Sequence, residues 1–214
     1  MTLYVYPCGP VSANMMFVAA DGAKTVAVID PSDDALALAI LKEHGWTLSD
    51  ILITHRHYDH LLGVSGLKKA TGAKVYISEA DADGLRSDRA SLARMVGLKQ
   101  EPTEPDVLLR EGDTFTAAGL TFRVLETPGH TAGGITFVCD EERCAFVGDT
   151  LFAGGYGRFD LPTGDFNALS LSIKNALFSL PDDYRIFPGH DEPTTVAEEK
   201  RINPINFEGM PWFD

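Results

Sequence analysis

Five of the six histidines in this chain occupy positions from which they can bind metal ions. Three of them lie in one six-residue segment, His55-Arg56-His57-Tyr58-Asp59-His60. Residues two apart in an extended segment project to the same side, so His55 and His57 can face one cation. Asp59 and His60 open the predicted helix that follows and point elsewhere, where they can serve a second ion. The segment therefore predicts a metal-binding loop.

The remaining candidate ligands follow three other strands. The chain runs through Thr127-Pro128-Gly129-His130 and Phe187-Pro188-Gly189-His190, each time delivering a histidine after Pro-Gly. Asp149 follows an apolar run in Gly148-Asp149-Thr150. Each residue alone is typical of an ordinary loop. Together with the His55–His60 segment, however, potential ligands follow four strands, and sites in sheet proteins commonly lie at the ends of strands, so these residues indicate one site. The glycine before each ligand is expected to permit a sharp turn or close approach.

The ligand count favours a hydrolytic site with two metals. Three side chains are assigned to one ion, three to a second and one carboxylate to both: His55, His57 and His130; Asp59, His60 and His190; and Asp149. Two cations about 3.5 to 4 Å apart share a water and lower its pKa toward 7, which supplies a bridging hydroxide nucleophile. Imidazole with carboxylate suits Zn(II), and Fe(II) or Mn(II) are compatible. The predicted catalytic residues are Asp59, which orients the nucleophile, and Asp149.

The ordered motifs resemble those of the metallo-β-lactamase superfamily, and within it the short, single-domain glyoxalase II-like metallohydrolases. They span nearly the whole chain and occupy residues 54–60, 127–131, 148–152 and 188–190. The resemblance implies an α/β fold of the αββα type, a four-layer sandwich in which two sheets pack face to face between helices. It also implies the same two ligand sets, in agreement with the count from the residues.

A second resemblance concerns substrate binding. The stretch Gly155-Tyr156-Gly157-Arg158-Phe159 is similar to the glyoxalase II loop that holds glutathione through a basic residue and a tyrosine. Arg158 matches the basic position, whereas Asp160 stands where the tyrosine would be. We predict that Arg158, Tyr156 and Phe159 contact the substrate, with Arg158 clamping an anion. The alternative for Arg158 is a salt bridge to Asp160 or Asp165.

The bridging position indicates the branch of the superfamily. The carboxylate of Asp149 resembles the residue at this position in the glyoxalase II branch rather than the cysteine that some β-lactamases have at the second metal. The predicted reaction is hydrolysis of a thioester or related acyl compound, for which an S-lactoylglutathione-type substrate is a candidate. A thiolate leaves without a separate acid because thiol pKa values lie near 8.5. The alternative is a mononuclear iron persulfide dioxygenase, which shares much of the ligand set. A non-catalytic binding module would be expected to have lost ligands.

Mixed strands and helices must position these residues, which indicates α/β or α+β layers. Strands are predicted at 3–6, 15–20, 25–29, 51–54, 74–78, 120–125 and 184–187, with a hairpin joining 135–139 to 145–148. Helices are predicted at 35–44 after a Ser32 cap, at 61–71 and at 165–180. His44 is assigned to the end of the first helix. No repeat or linker interrupts the chain, so residues 1–214 are expected to form one domain.

Two segments carry open interpretations. Residues 79–106 are irregular and charged, and form either a surface excursion or a lid or wall of the substrate cleft. Leu92, Met95 and Val96 are expected on one face of a short helix there. Residues 203–205 and 209–212 resemble the ends of the short bacterial relatives, and Trp212 and Phe213 are expected in the core or beside the cleft.

Composition limits the partners of the chain. Eighteen basic and 31 acidic residues give a net charge of −13, which repels a nucleic-acid backbone. No apolar run reaches the roughly 18 residues of a membrane span, and the amino terminus lacks the basic residues of a signal peptide. Cys8, Cys139 and Cys144 are expected to be reduced. We expect a cytoplasmic monomer or homodimer that binds a small-molecule substrate, with no nucleic-acid or membrane partner.

Overall fold

The computed structural model of the chain describes residues 1–207. The strands of this range are β1 Thr2–Cys8, β2 Ala13–Ala19, β3 Thr25–Ile29, β4 Thr47–Leu52, β5 Lys74–Ser78, β6 Val107–Leu109, β7 Thr114–Ala117, β8 Leu120–Glu126, β9 Ile135–Cys139, β10 Cys144–Gly148, β11 Leu151–Phe152, β12 Gly155–Tyr156, β13 Arg185–Pro188 and β14 Thr194–Thr195. The helices are α1 Asp34–His44, α2 Tyr58–Leu61, α3 Val64–Thr71, α4 Asp83–Arg86, α5 Phe166–Leu171 and α6 Val196–Ile202. The interpretations of residues 209–212, Trp212 and Phe213 lie outside the described residues.

Two six-stranded sheets form the centre of the fold, in the orders β1-β2-β3-β4-β5-β6 and β14-β13-β10-β9-β8-β7. Their facing sides share one apolar core, to which β9 and β10 contribute Phe137 and Phe146. The neighbouring residues Val138 and Ala145 point the other way and pack with Leu169 of α5, as the two-residue period of a strand requires. Helices α1 and α3 cover the outer side of the first sheet. The predicted αββα sandwich is confirmed.

The cap of the first helix lies one residue later than expected. Asp33, not Ser32, caps α1: its carboxylate accepts a hydrogen bond from the Leu36 amide at 2.9 Å. The Ser32 hydroxyl is instead buried against Cys8 Sγ at 3.1 Å. Ser32 and Asp33 are both residue types that commonly cap helices, and only the path of the backbone into the helix decides which of them does so here. The predicted end of the helix at His44 is confirmed.

The other two predicted helices are interrupted. The stretch predicted as helix 61–71 is divided into α2 and α3 near Gly63, whose amide donates to Pro31 O at 2.9 Å. The stretch 165–180 continues beyond α5 as a wider π-type turn over Ser172–Ala176 and a 3₁₀ turn over Leu177–Ser179. Ser172 Oγ donates to Pro128 O at 2.7 Å, which ties this helical segment to the loop that carries His130. The apolar period predicts helix in both stretches but does not encode these tertiary contacts.

The hairpin of β9 and β10 is confirmed, and Cys139 lies opposite Cys144 in its register. These two cysteines and Cys8 are buried free thiols, as expected. Among residues 1–207, no helix is both long enough and apolar enough to cross a bilayer. The single-domain extent, the cytoplasmic location and the monomer or homodimer remain predictions.

Candidate metal centre

The seven candidate ligands are delivered by loops that leave strands of both sheets. Four come from the segment after β4 and the short helix α2, and the others follow β8, β10 and β13: His55, His57, Asp59 and His60; then His130, Asp149 and His190. Glycines before these residues permit the close approach or sharp turn that the sequence predicted. At Gly189 an added Cβ would overlap Asp149 Oδ1 and His60 Cε1, and Gly129 has a φ of 132°, which favours glycine. The strand ends therefore bring the candidate ligands together.

Three histidines form the first group of the centre. One ring nitrogen from each of His55, His57 and His130 lies within 4.8 Å of the others, and all three side chains are buried. His57 Nδ1 is 2.8 Å from His130 Nε2. Burial and the neighbouring His130 lower the pKa of His57 to about 3. Burial and four neighbouring imidazoles, of which His60 has the largest effect, lower the pKa of His55 well below its usual value. Such rings stay neutral and offer lone pairs to a cation.

The second group contains Asp59, His60 and His190, whose ligand atoms also lie within 4.8 Å of one another. Asp59 Oδ2 is 3.3 Å from His190 Nε2 and 3.4 Å from His60 Nε2. Burial works to raise the pKa of Asp59, but His60 and His190 outweigh it and hold that pKa well below its usual range. The carboxylate is therefore charged and available to a cation.

Asp149 lies between the two groups. Its Oδ1 is 3.4 Å from His60 Nε2, and its Oδ2 is 3.5 Å from His130 Nε2 and 3.6 Å from His190 Nε2. Burial works to raise the pKa of this carboxyl, but the imidazoles, first His60, lower it overall. One carboxylate therefore lies beside histidines of both groups, as expected of a bridging residue.

Unpaired polar atoms indicate that this donor set fits metal ions. His55 Nε2, His60 Nε2 and Asp149 Oδ1 are buried and make no hydrogen bond within the described part of the chain. Buried polar atoms are nearly always paired, so several unpaired ones in one place need a common partner. Imidazole nitrogen and carboxylate oxygen are ligands for Zn(II), Fe(II) and Mn(II). The cluster is compatible with a binuclear metal site.

The family model described as the metallo-beta-lactamase superfamily matches residues 8–190. The chain belongs to this superfamily. It is 37% identical over 188 residues to a Haemophilus influenzae protein named hydroxyacylglutathione hydrolase GloC, covering 86% of this chain and 89% of that one. Hydroxyacylglutathione hydrolases are thus among its homologues.

Solved structures of the superfamily have the same fold as this chain. BLEG-1, titled a B3 metallo-beta-lactamase, has a TM-score of 0.89 and 32% identity, covering 95% of this chain and 98% of that chain. TTHA1623, in a di-iron-bound form, has a TM-score of 0.83 and 37% identity, with coverages of 94% and 98%. ETHE1 from Myxococcus xanthus has a TM-score of 0.80 and 30% identity, with coverages of 95% and 84%.

Asp30 contacts residues of the metal centre, although it is not one of the seven candidate ligands. Its Oδ2 is 3.1 Å from His60 Nδ1 and accepts from Thr54 Oγ1 at 2.6 Å, and its Oδ1 accepts from the Thr54 amide. Thr54 Oγ1 in turn lies 3.0 Å from His55 Nδ1. Asp30 therefore orients one histidine of each group. This residue was not among those predicted from the sequence, although an acid directly after the apolar strand β3 was an available signal.

Asp81 joins the two histidine loops of the first group and was also missed. This buried carboxylate accepts from the Arg56 amide at 3.0 Å, from Thr131 Oγ1 at 2.6 Å and from the Gly133 amide at 3.1 Å. Burial raises its pKa despite these hydrogen bonds. Arg56 adjoins His55 and His57, and Thr131 adjoins His130, so Asp81 holds these loops in register. No local pattern in the charged segment 79–106 marks this acid.

A cleft of about 510 Å³ opens at the centre, and candidate ligands of both groups line it. Its apolar wall includes Leu92, Met95 and Val96. Met95 and Val96 are 68% and 52% exposed, and both belong to a 3₁₀ turn over Ala93–Val96. Of the two interpretations of segment 79–106, the structure therefore places this part in a wall of the cleft.

The predicted substrate residues differ in their positions. Arg158 lines the cleft, but its guanidinium forms two hydrogen bonds with Asp160, Nε to Oδ1 at 2.8 Å and Nη2 to Oδ2 at 2.7 Å. The salt bridge to Asp160, one alternative from the sequence, is thus present. Tyr156 and Phe159 pack against Phe166 at ring centroid distances of 6.2 Å and 4.9 Å and do not line this cleft. Contact of these residues with the substrate remains a prediction.

Proposed function

We propose that the chain is a binuclear, metal-dependent hydrolase of thioesters or related acyl compounds. The observation that carries the proposal is Asp149, whose carboxylate oxygens lie 3.4 to 3.6 Å from histidines of both ligand groups. The similarity to a protein named hydroxyacylglutathione hydrolase GloC supports the substrate class, including an S-lactoylglutathione-type compound.

The proposed ligands are those of the two groups with the bridging carboxylate: His55, His57 and His130; Asp59, His60 and His190; and Asp149. Two divalent cations, most simply Zn(II), supply Lewis acidity to the acyl carbonyl and to a shared water when bound. Fe(II) is an alternative metal, and a similar structure has a di-iron form. Asp149 and Asp59 outweigh burial and raise the pKa of His60 well above its usual value, so His60 would have to lose a proton before its ring nitrogen could hold a cation.

Asp59 and Asp149 are the proposed catalytic residues. Asp59 is only 8% exposed, lines the cleft and can accept a hydrogen bond from a water beside the substrate carbonyl. Its oxygen therefore orients that water and takes up its proton. The apolar wall excludes bulk water from one side of the acyl group. The leaving thiolate needs no acid, because thiols ionise near neutral pH.

Replacement of the two acids tests the proposal. Asp149→Ala and Asp59→Ala are expected to lower kcat on an acyl thioester by about a thousandfold or more, because each change removes a proposed ligand and positioning oxygen. Bound metal per chain, measured by elemental analysis, should fall below two in Asp149→Ala. Asp21→Ala, at an exposed acid, is the control and should keep both properties. Full turnover in either site variant would refute the proposal.

The second candidate is the mononuclear iron persulfide dioxygenase, which the similarity to ETHE1 favours. Metal analysis of protein purified without added metal separates the two reactions. Two ions per chain with thioester hydrolysis support the binuclear hydrolase. One iron per chain with oxygen uptake on a persulfide supports the dioxygenase.

A further inference from the structure

A second cavity of about 490 Å³ adjoins the cleft at the metal centre. Leu92 and Met95 line both spaces and form the ridge between them. The polar lining of this second cavity includes Arg56, Asp83, Ser87 and Arg89. A substrate held by its carbonyl at the metal centre can therefore extend past the ridge into a space lined by two guanidinium groups and one carboxylate, which is paired with Arg56.

The two arginines differ in how their charge is balanced. Arg56 is buried, forms an ion pair with Asp83 and has its Nε 3.7 Å from Asp81 Oδ1. Arg89 is exposed, and no carboxylate of residues 1–207 lies within 4.0 Å of its side chain. Other basic residues of the described range, such as Arg94, also lack an ion pair, but they do not line this cavity. Arg158 at the mouth of the cleft has its charge taken up by Asp160.

The segment that carries Arg89 is held against the metal-binding loop. The Tyr58 amide, between His57 and Asp59, donates to Ser91 O at 2.9 Å, and the Ser91 amide donates to Ser87 O at 3.0 Å. Leu92 follows with a φ of 68°, a left-handed conformation that costs a branched residue free energy and is kept only where contacts enforce it. The position of Arg89 relative to the metal centre is therefore set by backbone contacts.

We propose that the second cavity binds the anionic group of the thiol half of a thioester substrate through Arg89. This inference rests on the proposed hydrolase function. The soluble thiols that carry acyl groups bear either carboxylates, as in glutathione, or phosphates, as in coenzyme A. A guanidinium binds either anion through paired N–H donors, and Arg89 has no internal partner to compete. The apolar wall of the neighbouring cleft then faces the acyl half.

The test uses three thioesters with one acyl group and different thiols: uncharged N-acetylcysteamine, glutathione and coenzyme A. Arg89→Gln is expected to raise KM about tenfold for at least one charged thioester, because a charge-assisted hydrogen bond is lost, while kcat stays within about twofold. KM for the uncharged thioester should not change. If KM rises for the glutathione thioester, the bound group is a carboxylate; if it rises for the coenzyme A thioester, the bound group is a phosphate. Arg94→Gln, on the same segment but outside both cavity linings, is the matched control and should leave all three KM values unchanged.

Two results would overturn the proposed subsite. One is an unchanged KM for both charged thioesters in Arg89→Gln, and the other is an equal rise for the uncharged thioester or in Arg94→Gln. If the wild-type enzyme hydrolyses none of the three, the proposed hydrolase function fails by itself. Calorimetric titration with free glutathione and coenzyme A then tests the subsite: a Kd about tenfold weaker in Arg89→Gln supports it, and equal Kd values refute it.

Discussion

The Asp30 and Asp81 carboxylates show how buried acids support the metal centre without entering the cleft. Asp30 contacts Thr54 and His60 on the side of the rings away from the cleft, and its φ of 51° is unusual for a residue with a side chain. Such strain persists where surrounding contacts enforce it. A carboxylate behind a ligating imidazole sets which ring nitrogen faces the cation and raises its basicity. Asp30 is therefore a positioning residue.

Replacement of Asp30 tests this role. Asp30→Asn is expected to weaken metal affinity by about 10- to 100-fold, because the amide cannot serve Thr54 and His60 with two charged oxygens. Competition with a chromophoric chelator measures the affinity. Asp50→Asn, at another buried acid on the neighbouring strand β4, is the control. Equal affinities in the two variants would contradict the role of Asp30.

At the scale of elements, the ligand-bearing loops and the irregular segment 79–106 have different roles in the site. The loops at the strand ends carry the candidate ligands, and the 3₁₀ turn Ala93–Val96 adds an apolar wall. Met95 on this turn is exposed in the free protein, so its side chain is available to cover an apolar group of the substrate. Removing that apolar area from water on binding contributes about 25 cal/mol per Å².

Met95→Ser tests the wall. KM is expected to rise by about three- to tenfold for thioesters with long apolar acyl chains and to rise less for an acetyl thioester of the same thiol, because the long chain buries additional apolar area against the wall. The melting temperature should not change, since the side chain is exposed before substrate binds. Leu171→Ser, at an equally exposed apolar residue on α5, is the control. A KM that does not depend on chain length in Met95→Ser would contradict the wall.

At the scale of the whole molecule, the metal centre joins the two halves of the sandwich. Asp30 and the segment 55–60 follow strands of the first sheet, whereas His130, Asp149 and His190 follow strands of the second. A cation bound by both sets is a cross-link between sheets that is absent in the unfolded chain. Metal occupancy should therefore raise the global stability of the protein.

Metal removal tests this coupling. Dialysis against a chelator is expected to lower the melting temperature by several degrees, since a cation at a hundred times its Kd stabilises by about 2.7 kcal/mol per site. Calorimetry before and after adding Zn(II) measures the change. Ca(II), which needs six to eight oxygen ligands, is the control and should not restore stability. Identical melting temperatures for stripped and zinc-loaded protein would contradict the cross-link.

Whereas the αββα sandwich was implied by the resemblance to the superfamily, the sequence alone determined the candidate ligands, their two groups and a mixture of strands and helices. These features depend on short spacings, such as His55 with His57, and on polar residues that follow apolar strands, so they are readable locally. The short strands β6, β7, β11, β12 and β14 were not predicted, because runs of two to four residues show little period. Only the tertiary structure decided the partner of Arg158, the roles of Asp30 and Asp81 and the cavity at Arg89. Each of these depends on which distant segments meet when the sheets pack, and that juxtaposition leaves no periodic or spacing signal in the chain.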